Sequence, residues 1–234
     1  MKFRNLFFAT FIAVSVTFNV NAQDARSALK RGDAFVVQEN YKAAIVEYSK
    51  VSHRDRDFYA RAVYNIGVCY YELWQTEDAI VFYKRAIELK QGNYPVASYA
   101  LGVALEDQGR LGQAKLAYQQ APGFAPAIYK LGLLAAKSGE LKQAADLFRD
   151  AAAREGRHVP ASRNNLGVML ARLGFLKEAE KEFAIALKSA DGVFEDAAHN
   201  LKLCRSLLLN NQRAQNAQST AVRDVPFVAT DLVF

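Results

Sequence analysis

Five glycines stand at near-even intervals along the chain: Gly32, Gly67, Gly102, Gly132 and Gly167, spaced 35, 35, 30 and 35 residues apart. Twelve positions after each comes an alanine (Ala44, Ala79, Ala114, Ala144, Ala179), and sixteen after each an aromatic (Tyr48, Tyr83, Tyr118, Phe148, Phe183). Nineteen after each stands a small or β-branched residue (Val51, Ala86, Ala121, Ala151, Ala186). A period of this length belongs to a helix-turn-helix stacked on its neighbour, because one hairpin of helices cannot bury its apolar face alone. The expected fold is all-α, a helical solenoid of about five units.

The first helix of a unit reads like Val63-Tyr64-Asn65-Ile66-Gly67-Val68-Cys69-Tyr70, with apolar residues 63, 66 and 70 forming one helical stripe. A glycine there costs about 1 kcal/mol against alanine, so five in register need a packing reason. Lacking Cβ, each lets the partner helix come close; the alanine twelve residues on does the same from the other side, and the aromatic fills the space between units. Gly109, Gly139 and Gly174 fall seven residues after a marker glycine, where a left-handed cap ends the first helix. Pro95 and Pro160 stand seven before one, in the first turn of a helix.

These columns resemble the tetratricopeptide repeat, which pairs L-G-x-x-Y in one helix with A-x-x-x-F in the next. Ile66-Gly67-x-x-Tyr70 with Ala79-x-x-x-Tyr83 matches best, and Leu101-Gly102, Leu131-Gly132 and Leu166-Gly167 repeat the first half. The family's early tryptophan is replaced by Val63, Ser98, Ile128 and Arg163, and Arg31 replaces the leucine before Gly32, which suits an end unit. The resemblance covers about residues 24–209 and implies that the solenoid is right-handed. After the fifth unit, 195–209 reads as an amphipathic capping helix. Against the family's unit of about 34 residues, the 30-residue step places a four-residue deletion at the end of the third unit's second helix, with a change of curvature near 118–126 dividing the array into three units and two, or a short helix without further consequence.

The resemblance implies a non-enzymatic adaptor or scaffold that binds a protein or peptide segment along a concave face lined by the first helices. Three residues before the marker glycines stand Tyr64, Tyr99, Tyr129 and Asn164; one after them stand Val68, Val103, Leu133 and Val168. Tyr71 continues that stripe, and Asn65 and Asn165 flank it. Tyrosine offers a flat apolar body and one hydroxyl at low entropic cost, though it is also ordinary fill at that slot. Lys130, Lys137, Asn164 and Arg172 form only a partial version of a carboxylate clamp. Trp74 occupies a slot that is glycine in other units; it is a candidate hot spot, with packing down onto Tyr71 the preferred alternative.

Lys2 and Arg4, the apolar run Leu6–Val16 and the small-residue pattern Val20-x-Ala22 form a secretory signal peptide over 1–22. The run is too short for the ~20 residues of a spanning helix, and no cysteine follows the cut to carry a lipid anchor. The chain is therefore expected to be exported, to a periplasm or as a secreted protein, with a solenoid over 23–209 and a flexible tail over 210–234. Removing the leader leaves 28 basic against 24 acidic residues, a net charge of +4, too diffuse for nucleic acid.

Cys69 and Cys204 fall at equivalent sites four units apart, too far for a disulfide. His53, His158 and His199 are scattered, with no metal spacing, and no nucleotide or nucleophile motif is present. No cofactor or metal is expected, and a hydrolase is the least favoured reading. The envelope-assembly role rests on the resemblance; the alternative is an oligomerising component that acts through the array's ends and the tail. The apolar end VPFVATDLVF is read as part of the flexible tail, the alternatives being strand addition to a partner and docking in the chain's own groove.

Overall fold

The computed structural model describes residues 23–215 and, further on, Phe227, Val228 and Thr230. The proposed leader, 1–22, lies outside the described residues. The described part is built of helices with no strand: α1 (residues 23–37), α2 (Tyr41–Tyr48), α3 (Arg56–Glu72), α4 (Thr76–Leu89), α5 (Pro95–Asp107), α6 (Leu111–Gln119), α7 (Ala125–Lys137), α8 (Leu141–Ala152), α9 (Val159–Arg172), α10 (Leu176–Ser189) and α11 (Glu195–Gln215). None is long and apolar enough to cross a membrane. The chain divides into two compact units, 1–121 and 122–234. The boundary falls at the short step between Gly102 and Gly132.

In the first unit three hairpins stack in chain order, α1/α2, α3/α4 and α5/α6, with α3 also touching α5. In the second, α7/α8 and α9/α10 are followed by α11, which lies on α10 and reaches α9. The columns read from the sequence are the core of both units. The five alanines at the twelve-residue offset are completely buried, and the aromatics sixteen residues after the glycines are at most 2% exposed.

The reason for the glycines is close approach within the hairpin. A Cβ on Gly102 would lie 2.3 Å from the Tyr118 ring, and on Gly167 2.6 Å from the Phe183 ring. Each aromatic ring therefore lies directly against the glycine of its own hairpin, and Tyr48 and Phe148 also share a core cluster with residues of the next repeat. Tyr118 is fixed there by a 2.6 Å hydrogen bond donated to Glu106, and Tyr48 by one of 2.8 Å donated to Asp33.

The turns follow the expected phase. The slot seven residues after each marker glycine is left-handed throughout, at Gly109 (φ +70°), Gly139 (+76°) and Gly174 (+89°), and equally at Glu39 (+56°) and Trp74 (+61°). Pro95 opens α5, and Pro160 sits in the first turn of α9. α6 has nine residues against fourteen in α4 and α10, so the missing residues come from the third hairpin's second helix. Both cysteines are buried and free, as expected from their equivalent slots, and burial pushes each thiol up to about 11.

Candidate functional site

The slot three residues before the marker glycine organises the inner face of each unit. In the second, third and fourth repeats it holds a tyrosine whose ring covers the column aromatic of its own hairpin: Tyr64 on Tyr83 at 5.8 Å, Tyr99 on Tyr118 at 5.9 Å, Tyr129 on Phe148 at 5.7 Å. These tyrosines are half or fully buried, so much of the ladder is core. Tyr64 also meets Tyr94 at 5.6 Å, and Tyr129 stacks on His158 at 5.3 Å.

The fifth repeat breaks the pattern. Asn164 stands in the tyrosine slot, and no tyrosine of its own repeat covers Phe183. The ring that covers it comes from the tail: Phe227 stacks on Phe183 at 6.0 Å and 18° between planes. The column itself changes here from tyrosine in the first three repeats to phenylalanine in the last two. The floor under Phe227 is therefore apolar, without a hydroxyl that needs a partner.

Beside this ring, three asparagines hold the tail by its main chain. Asn200 donates to the Val228 carbonyl at 2.5 Å and accepts from the Val228 N–H at 2.8 Å. Asn165 does the same for Thr230, donating at 2.8 Å and accepting at 2.6 Å. Asn200 and Asn165 occupy the same repeat slot, two before the marker position, on α11 and α9. Asn164 donates to the Val228 carbonyl at 3.2 Å and to the Thr230 hydroxyl at 2.9 Å, and that hydroxyl donates to Asp196 at 3.1 Å. Tyr129 reaches the Thr230 carbonyl at 3.4 Å. The network closes on itself, Asn200 donating to Asn164 at 2.9 Å and Asn165 to Tyr129 at 3.2 Å.

With the tail in place, Asn164, Asn165 and Asn200 are completely buried, and both amide hydrogens of each are used. A buried amide stripped of its partner costs about 1–3 kcal/mol, so the cleft is complete only when a main chain lies in it. A non-helical segment suits it, since a helix spends its N–H and C=O groups internally. The gain is modest: six main-chain and hydroxyl bonds to the asparagines give about 6 kcal/mol and the ring stack about 1. Fixing Phe227, Val228 and Thr230 costs about 3–6. The two sides nearly cancel, as an exchangeable occupant requires.

The first unit uses the same slots differently. Asn65, the counterpart of Asn165 and Asn200, gives its amide to Asp33 at 3.3 Å, which also receives Arg61 at 2.9 Å. Asp33 and Asn65, with Val36, Val37, Tyr48 and Val68, line an open cavity of about 300 Å³. Burial, with the Asp33 carboxylate reinforcing it, pushes the Tyr48 phenol above its ordinary range, so it stays a donor. Tyr71 is tied to Asp107, and Val103 is half-buried. The predicted residues thus fall in two sets, with Tyr129, Leu133, Asn164 and Val168 in the second unit. Leu133 and Val168 are buried core.

The geometry is that of a repeat array, and the sequence comparison decides which. The tetratricopeptide-repeat family matches residues 29–94 and 129–193, more than half the chain. The chain belongs to the tetratricopeptide-repeat family. Solved structures agree. The crystal structure of MamA is similar with 26% identity and a TM-score of 0.56, over 68% of this chain and 94% of that one. MamA of Desulfovibrio magneticus matches at 18% identity and 0.56, over 73% and 97%. TTC0263, a thermophilic TPR protein of Thermus thermophilus, matches at 22% identity and 0.51, over 77% and 98%. The last two matches carry the fold alone. No curated protein matches the chain.

Within this tetratricopeptide-repeat chain, Trp74 corrects its preferred sequence reading. It does not pack down on Tyr71: it is 92% exposed, because the left-handed backbone of its turn aims the side chain outward. Sequence reasoning missed Asn200, Asp196 and the ring pair Phe183–Phe227. The column Asn65, Asn165, Asn200 was available as a signal, since Lys202 marks the next glycine slot and Asn200 stands two before it. The helix α11 also runs beyond residue 209, to Gln215, and of the readings weighed for the tail the contacts favour its own groove.

Proposed function

We propose that this protein is a non-enzymatic scaffold that receives a non-helical segment of a partner protein in the cleft of its second unit, between α9 and α11. The observation that carries this reading is the pair of two-way amide grips, Asn200 on residue 228 and Asn165 on residue 230, which hold a main chain by its own N–H and C=O groups. Repeat arrays of this family are protein-interaction surfaces. The signal-like residues 1–22 support work outside the cytoplasm, in a periplasm or as a secreted protein, in assembling or organising an envelope or secretion complex. Tyr64, Asn65, Val68, Tyr71, Tyr99 and Val103 would serve a second contact in the first unit, with exposed Trp74 as its anchor.

The test is selection of random peptides displayed on phage against the full chain and against an Asn165→Ala/Asn200→Ala variant. Peptides enriched by the first and lost by the second support the cleft; the same peptides enriched by both would remove it. A second reading has one observation in its favour: the tail is itself the occupant, so tails exchanged between copies would make the protein an oligomerising component.

A further inference from the structure

We infer that the cleft of the second unit reads an aromatic-x-x-Thr/Ser pattern, and that Phe227-x-x-Thr230 is a resident copy of that pattern which an outside segment must displace. This rests on the peptide-binding reading above and gives it a sequence.

The aromatic preference comes from the vacancy in the repeat. Three repeats fill the slot above the column aromatic with their own tyrosine at 5.7–5.9 Å, and the fifth, with Asn164 there, leaves Phe183 to be covered by Phe227 at 6.0 Å. The slot therefore has the size and chemistry of one aromatic ring. Its position relative to the asparagines fixes the spacing to the residues whose main chain they hold.

The hydroxyl preference comes from two groups of opposite kind meeting at one atom. Asn164 donates to the Thr230 oxygen and Asp196 accepts its proton. Only a group that both accepts and donates satisfies both, which serine and threonine do and valine does not. A valine there leaves an amide and a carboxylate facing a methyl group, the kind of mismatch that separates hydroxyl-bearing ligands from their isosteres most strongly. Position 228 is held by its main chain and is an exposed residue, so the pattern leaves it open.

Competition follows from tethering. Residues 216–226 join the end of α11 to Phe227, and a short linker gives an effective concentration on the order of 1 mM. If the tail alone has a Kd of ~0.1 mM, it weakens an outside segment about tenfold. The same segment binds freely once the tail has lost its ring and hydroxyl.

The test uses a fluorescent peptide of residues 223–234 and two full-length chains, wild type and Phe227→Ala/Thr230→Val, checked by circular dichroism. The expected result is binding to the tail variant about tenfold tighter than to wild type. The peptide should lose at least tenfold on Phe227→Ala or Thr230→Val and stay within about threefold on Thr230→Ser. Equal binding of the substituted peptides overturns the pattern. If Asn165→Ala/Asn200→Ala, built into the tail variant, still abolishes that binding, the peptide cleft itself stands; if it changes nothing, the cleft falls too. Equal affinity of the two chains overturns the competition. A wild-type dimer in sedimentation, absent from the tail variant, overturns it as well by placing the tail in a second copy.

Discussion

Gly102 shows how little freedom a single atom has in this fold. A methyl group there would sit 2.3 Å from the ring of Tyr118, which is buried and anchored to Glu106. Neither ring nor backbone can yield cheaply. Gly102→Ala is expected to destabilise the chain by about 1–3 kcal/mol in chemical denaturation. Gly112 is the control: nothing lies within 4 Å of its Cβ position, and it sits in the first turn of α6. Gly112→Ala should be neutral or stabilising by up to ~1 kcal/mol, and equal losses at the two sites would refute the packing account. Cys69 and Cys204 are the chemical counterpart. With burial holding each thiol up at about 11, both should resist Ellman's reagent at pH 8 until the chain unfolds. Rapid labelling of the native protein would contradict their place in the core.

At the scale of the element, each hairpin is a glycine, an alanine and an aromatic ring locked together, joined by a left-handed turn. Trp74 occupies that turn in the α3/α4 hairpin at a φ of +61°, a conformation that costs a side-chain-bearing residue about 1–2 kcal/mol. Trp74→Gly should therefore raise stability, by up to about 1 kcal/mol in chemical denaturation; a loss of stability would contradict the account of this turn. The columns that define the hairpins were legible in the sequence because they repeat: five registered copies of Gly32 to Val51 leave little choice of fold. The cleft was not legible for the opposite reason. It exists where the repeat is broken, at Asn164, and it is completed by Phe227 and Thr230, which belong to no repeat. Asn165 could be named from its slot, but its bond to residue 230 spans 65 positions of sequence. Periodicity says nothing about contacts of that kind. Trp74 failed for a related reason, since a sequence pattern gives a residue's slot and not the direction its turn imposes.

Across the whole molecule, the two units put equivalent slots to different uses. In the first, Asn65 is spent on Asp33, itself joined to Arg61 and Tyr48. In the second, Asn165 and Asn200 hold the end of the chain. The central claim is that these asparagines grip a main chain, and hydrogen exchange reads that grip at single atoms. The N–H groups of Val228 and Thr230 are donated to Asn200 and Asn165, at 2.8 and 2.6 Å. In an amide-resolved exchange measurement on the full chain, both should exchange at least tenfold more slowly than an unfolded peptide of the same sequence. Both should return to the unfolded rate in Asn165→Ala/Asn200→Ala, while the amides of α9 keep their protection. Exchange at the unfolded rate in the wild-type chain would contradict the account.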